Sequence, residues 1–143
     1  MSTLKEIEAS LEEIDRVVAS LEAVLPSNAI VFLRGDLAAG KTTLTQAIAK
    51  AKGVQSEVTS PTFSLQQCYL SPNGENLYHY DLYRIDHEAF MQMGLFEEFE
   101  KPGWHLLEWG SDTLKAFLEG VGYNVAMIEI TPCGEQRRYR ITY

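Results

Sequence analysis

Hydrophobic positions divide the chain into short apolar runs and longer amphipathic stretches. Leu4 to Ala9 reads either as a short strand or as the first turns of a helix. From Ser10 the helical pattern takes over. Ser10-Leu11-Glu12-Glu13 has the form of a capping box, in which a hydroxyl and a carboxylate satisfy backbone amides at a helix start. Leu11, Ile14, Val17, Val18, Leu21 and Leu25 then fall on one face, and Pro26-Ser27-Asn28 ends the helix. Ala29 to Leu33 is a nearly continuous apolar run, the pattern of a strand buried in a parallel sheet. Lys41 to Lys52 reads as a second helix, with Leu44 and Ile48 inward and Gly53 closing it.

Beyond it, Phe63, Leu65 and Tyr69 alternate with polar residues as in a half-buried strand. Ser71-Pro72-Asn73-Gly74 is a turn signal, and Leu77 to Tyr83 returns, so a β-hairpin is expected. Asp86 to Met93 reads as a short helix capped by Asp86 and stopped at Gly94. Trp104 to Trp109 reads as a strand and Ser111 to Leu118 as a helix ended by Gly120. Val121 to Ile130 and Arg138 to Tyr143 frame Pro132-Cys133-Gly134 as a terminal hairpin. The sum is an α/β fold with a β-loop-α unit at its centre.

Composition narrows the function classes. At 143 residues the chain fits one domain, 1–143, large enough to bury a core. No apolar run is long enough to span a bilayer, and the start lacks the pattern of a signal peptide, so the reading is soluble and cytoplasmic. Cys68 and Cys133 form no CxxC pair, and His79, His87 and His105 have no metal-ligand spacing. The histidines read as ordinary surface or half-buried side chains. A net charge of −8 repels a phosphate backbone on average, which argues against tight, autonomous nucleic-acid binding and is compatible with a basic patch on a protein partner.

The chemistry sits between the apolar run and the second helix. Gly35-Asp36-Leu37-Ala38-Ala39-Gly40-Lys41-Thr42 matches G-x-x-x-x-G-K-[ST], and an expected strand precedes it and an expected helix follows. In such a loop backbone N–H groups cradle phosphate oxygens, and the helix start turns its positive dipole end on the anion. Lys41 would reach the β- and γ-phosphates, and the Thr42 hydroxyl would ligate Mg²⁺.

Such a site also needs an acid at the end of a neighbouring strand. Glu108 and Asp81 both qualify. The pattern favours Glu108, which follows two leucines; Asp81 would then orient the attacking water or stand one hydrogen bond back from the metal. In Ser60-Pro61-Thr62-Phe63, Thr62 places a hydroxyl near the γ-phosphate if the segment is a switch, and is a strand-entry turn otherwise. Trp109 reads either as core or as a reporter on the nucleotide site.

Gly35 to Thr43 (GDLAAGKTT), Ser60 to Phe63 (SPTF), Asp81 to Arg84 (DLYR) and Glu108-Trp109 (EW) occur in this order. From about Ser10 to Arg138 the chain resembles the TsaE family, ATPases of bacterial tRNA threonylcarbamoyladenosine biosynthesis. The resemblance implies a single P-loop NTPase domain, with a mainly parallel central sheet, flanking helices and antiparallel hairpins. It implies slow, Mg²⁺-dependent ATP hydrolysis in support of TsaD and TsaB. The nucleotide-binding set it implies is Ser10, Gly35, Ala38, Ala39, Gly40, Lys41, Thr42, Thr43 and Arg137, with Ser10 or Glu12 near the base or ribose. Lys41, Asp81, Glu108 and Thr62 would serve hydrolysis, and Thr42 and Glu108 the metal. One departure stands out. Family loops usually read Gly-Ala-Gly-Lys-Thr, whereas Ala38 here carries a β-carbon that is costly if its φ is positive.

Two other functions share the loop. A small-molecule or nucleotide kinase needs an acceptor pocket and usually an Arg-bearing lid. A nucleotide-gated binding module uses ATP only to fix a conformation that a partner recognises.

Overall fold

The computed structural model describes residues 2–36, 40–55 and 65–143. The chain runs β1 (Leu4–Ala9), a 3-10 turn (Leu11–Glu13), α1 (Ile14–Val24), β2 (Ala29–Arg34), α2 (Lys41–Ala51), β3 (Gln66–Tyr69) and β4 (Leu77–Asp81). It continues through α3 (His87–Gln92), a 3-10 helix (Leu95–Glu100), β5 (Trp104–Glu108), α4 (Asp112–Gly120), β6 (Val125–Cys133) and β7 (Gln136–Thr142).

The strands form one sheet in the order β1-β7-β6-β2-β5-β4-β3. The middle four, β6, β2, β5 and β4, run parallel, and antiparallel hairpins close both sides. Both readings of Leu4 to Ala9 were open from pattern alone. It is a strand because β7 offers it complementary charges: Glu6 meets Arg140 and Glu8 meets Arg138, each at 2.9 Å.

Alternation along the central strands sends side chains to two cores. Ala29, Val31 and Leu33 of β2 join Val17 and Leu21 of α1 and Leu44 and Ile48 of α2 on one face. Ile30 and Phe32 face the other way, toward Phe90 of α3 and Leu114 and Leu118 of α4. A strand covered on both faces has no polar alternation, hence the unbroken apolar run. Asp86 and Ser111 cap α3 and α4 by accepting from the amides of Ala89 and Leu114.

Three boundaries differ from the pattern. The capping turn at Ser10 is 3-10 rather than α-helical, which swings Leu11 out of the α1 stripe and leaves it 58% exposed. β5 stops at Glu108, because Trp109 takes a φ of 64° and leaves the ladder. The last hairpin turns at Gly134 and Glu135, with Cys133 opposite Gln136. Both cysteines are free. No helix among the described residues is long and apolar enough to cross a membrane.

The histidines depart furthest from expectation: His79 and His105 are wholly buried. His105 is tolerated because its ring is satisfied. Its Nε2 lies 2.9 Å from the Lys101 carbonyl, to which it must donate, so Nδ1 accepts from the Tyr80 hydroxyl at 2.7 Å. Gln66 donates to the same hydroxyl at 3.0 Å, and Tyr78 stacks on the imidazole with centroids 4.4 Å apart. Burial lowers the His105 pKa and raises that of Tyr80, which stabilises the neutral pair. This network fastens β4 to β5 in the register that sets Asp81 beside Glu108.

Tyr80→Phe strands the His105 acceptor, and should cost about 1–3 kcal/mol in urea denaturation at pH 7. Because burial holds the folded His105 pKa below the ordinary imidazole value of 6.5, the unfolded chain takes up the proton first. Its neutral state therefore supports folding above about pH 6.5, and that support is lost as pH falls further. His105→Gln should flatten the decline in urea midpoint measured between about pH 7 and pH 5.

Candidate nucleotide site

The site forms where β2 hands over to α2. Gly40 caps α2 with a φ of 97°, a conformation that favours glycine. A β-carbon there would also lie 2.6 Å from Nη1 of Arg137. The backbone thus demands the second glycine of the loop, while the guanidinium, at the far end of a flexible side chain, can shift. Arg137 reaches it from β7, where it pairs with Ala9 of β1 and Pro132 of β6. Its Nη1 is buried and, among the described residues, has no hydrogen-bond partner. The antiparallel half of the sheet therefore delivers a guanidinium to the start of α2.

Lys41 opens α2 and is 3% exposed. Its ammonium donates to the Gly35 carbonyl at 2.9 Å and lies 3.8 Å from the centre of the Trp109 ring. Burial pulls its pKa below the usual lysine value; Glu108, Asp81 and Asp36 act in the opposite direction. Thr42 and Thr43 follow on the first turn, both half-buried. Thr45 back-bonds to the Lys41 carbonyl at 3.0 Å.

The two candidate acids are brought together. β4 and β5 pair in parallel with Asp81 opposite Glu108, and β2 pairs with β5 with Leu33 opposite Glu108. Both carboxylates thus stand at the carboxyl ends of adjacent parallel strands, beside the strand that enters the loop, the crevice where open α/β sheets hold ligands. Their environments differ. Glu108 is buried, and its Oε2 forms a hydrogen bond with Nε2 of His79. Asp81 is half-buried, and its Oδ1 accepts from the Tyr83 amide at 3.1 Å.

Trp109 forms one wall of a cleft of about 340 Å³ shared with Arg34, Gly35, Asp36 and Lys41. At 37% exposed it is neither core nor free surface, and Tyr83 meets it edge-on at 5.0 Å. Arg34 braces the turn, donating to the Gly110 carbonyl at 3.2 Å and pairing with Asp112 at 2.7 Å. Ser10 follows directly on Ala9, the strand partner of Arg137, so it lies at the same end of the sheet. Its hydroxyl and amide both donate to Glu13 at 3.0 Å. Ala38, Ala39 and Thr62 lie outside the described residues.

Sequence reasoning missed His79. The signal was present: alternation through Leu77-Tyr78-His79-Tyr80-Asp81 puts His79 on the face of Asp81. It also missed Arg34 as the brace of the Trp109 turn, for which no pattern exists.

Two cations, a helix N-terminus and two strand-end carboxylates suit a polyphosphate carrying a divalent metal. The unpartnered Arg137 nitrogen beside Gly40 fits an anionic oxygen. The Lys41 contacts with a carbonyl and a ring are ones an ammonium readily exchanges for phosphate. Thr42, Glu108 and Asp81 are the oxygen donors suited to Mg²⁺.

Residues 8–139 match the family model described as threonylcarbamoyl adenosine biosynthesis protein TsaE. The tRNA threonylcarbamoyladenosine biosynthesis protein TsaE of Aquifex aeolicus is 39% identical over 76% of this chain and 88% of its own length. That of Bacillus subtilis is 36% identical over 76% of this chain and 68% of its own. That of Haemophilus influenzae is 43% identical over 56% of this chain, and the match spans only 51% of its length. The crystal structure of Bacillus subtilis YdiB superposes with a TM-score of 0.66 at 29% identity, covering 99% of this chain and 86% of that one. With the family model running through both the loop and the strand-end acids, this chain belongs to the TsaE family.

Proposed function

We propose that this protein is a Mg²⁺-dependent ATP-binding protein that hydrolyses ATP slowly, in support of TsaD and TsaB, in forming threonylcarbamoyladenosine on tRNA. The observation that carries the reading is the register that stands Glu108 and Asp81 side by side, next to the strand that leads into Lys41. The family's role in tRNA threonylcarbamoyladenosine biosynthesis supplies the pathway.

Each residue then has a task. Lys41 leaves the Gly35 carbonyl and the Trp109 face to bind the β- and γ-phosphates. The amides at the start of α2 and the Arg137 guanidinium meet further phosphate oxygens. Thr42 and Glu108 would hold Mg²⁺, which when bound would offset the negative charge of the phosphates. Asp81, less buried than Glu108, orients the water that attacks the γ-phosphate in line. Charge stabilisation by groups already in place makes the largest contribution in such chemistry. Thr62 belongs to this set as a switch-segment hydroxyl, and Ser10 as a contact near the base or ribose. The net charge of −8 favours a protein partner with a basic patch over tRNA itself.

Lys41→Ala should abolish Mg·ATP binding in calorimetry and phosphate release in solution; unchanged turnover would refute the assignment. Ala38 should be tolerated in the loop: absence of Mg·ATP binding that Ala38→Gly restores is the contrary result. Phosphate release with ATP and water alone separates this reading from a kinase, which needs an added hydroxyl acceptor. Pull-down with TsaD and TsaB should capture the protein more strongly with ATP than without, and capture of neither partner under both conditions sinks the partner assignment.

A further inference from the structure

We propose that His79 is a positioning residue: through Nε2–H it holds the Glu108 carboxylate in the orientation that serves Mg²⁺ beside the loop. The inference rests on the reading of Glu108 as a metal-side acid.

His79 occupies a place where an apolar residue would pack without difficulty. It is wholly buried and alternates with Leu77 on the face of β4 that turns toward α1 and α2. Its strand partner on β5 is Leu106, and Glu108 lies two residues further along the same face. A side chain as long as histidine reaches that diagonal neighbour. Burying an imidazole among leucines is costly unless it is hydrogen-bonded. Among the described residues the ring finds that hydrogen bond on Glu108 Oε2 alone: Nδ1 is buried with no partner there. A ring that served only packing and satisfaction would be placed with both nitrogens bonded, as His105 is.

The bond has a direction. Glu108 as a carboxylate only accepts, so Nε2 carries the hydrogen and Nδ1 is left a bare acceptor. Fixing one carboxylate oxygen restricts the rotation of the group about its last bond. The oxygen that His79 does not hold, Oε1, is thereby set in direction. Outer hydrogen bonds of this kind commonly set both the geometry and the strength of a metal ligand. Among the described residues Asp81 receives no comparable restraint: its Oδ1 accepts from the amide two residues on, which ties it to its own turn.

Three variants of the full chain separate positioning from packing. Glutamine places an amide N–H near the position of Nε2, asparagine places one near Nδ1, and leucine fills the space with no donor. ATP is titrated by calorimetry in EDTA, and Mg²⁺ is titrated at fixed ATP with Trp109 fluorescence as readout. His79→Leu and His79→Asn should raise the Mg²⁺ concentration for half effect by about 10–100-fold, while His79→Gln stays within about threefold of the parent. ATP affinity in EDTA should remain within about twofold throughout. Adding His79→Leu to Glu108→Gln should raise the Mg²⁺ requirement no further, since both remove one interaction. Equal Mg²⁺ requirements in the glutamine and asparagine variants overturn the proposal, as does a loss in EDTA proportional to that in Mg²⁺. If the leucine variant does not fold, the glutamine–asparagine pair decides alone. A parent protein that binds no Mg·ATP refutes the underlying reading and this inference together, and that result is visible before any His79 variant is made.

Discussion

Glu108 leaves water at the end of β5, and a charge removed from water must be met by hydrogen bonds and opposite charge close at hand. Moving an unpaired carboxylate into a protein interior costs several kcal/mol even after relaxation. Around Glu108 the fold supplies His79 from β4 and the field of Lys41 from the start of α2. Lys41 carries the reciprocal constraint. Its own burial favours the neutral amine, and the neighbouring acids act against that. Each group is tolerable because the other is near, so acid and base are fixed together rather than one by one.

That mutual requirement explains why the sheet is built as it is. β2, β5 and β4 are parallel neighbours, and parallel strands deliver all their carboxyl ends to one edge. The helix that begins at that edge adds its N-terminal dipole to the two cations. A one-residue slip between β4 and β5 would send Asp81 to the opposite face. The Tyr80–His105–Lys101 chain resists that slip from the other core, on the side of the sheet away from the loop. The buried polar network of one face thus maintains the charge geometry of the other.

Much of this was legible from residue order. The loop, the strand before it and the helix after it follow from G-x-x-x-x-G-K-[ST] set between an apolar run and an amphipathic one. The alternation through Leu77 to Asp81 and through Trp104 to Glu108 was readable too. The strand order was not, because it depends on which strands lie side by side. Asp81 and Glu108 could therefore be named but not seen as neighbours. Trp109 was left between core and reporter because its positive φ arises from the turn into α4, braced by Arg34 from β2. His79 and His105 read as surface or half-buried side chains because a lone histidine carries no spacing signal. Their burial depends on partners 29 and 25 residues away.

Charge balance at the loop carries one further step. The described acids facing Lys41 are Glu108, Asp81 and Asp36, while the cations there are Lys41 and Arg137. Arg34 is already committed to Asp112. Three negative charges against two leave the site negative before any ligand arrives. At an effective dielectric near 20, two like charges 4 Å apart repel by about 4 kcal/mol. A bare triphosphate, itself strongly anionic, would meet that repulsion from Asp81 and Glu108 at the very edge where its γ end must lie. A divalent cation between phosphate and carboxylates reverses the sign of those interactions and turns the acids from obstacles into ligands. The proposed dependence on Mg²⁺ would then follow from the composition of the site itself: two strand-end carboxylates suit a nucleotide that brings its metal and disfavour one that does not.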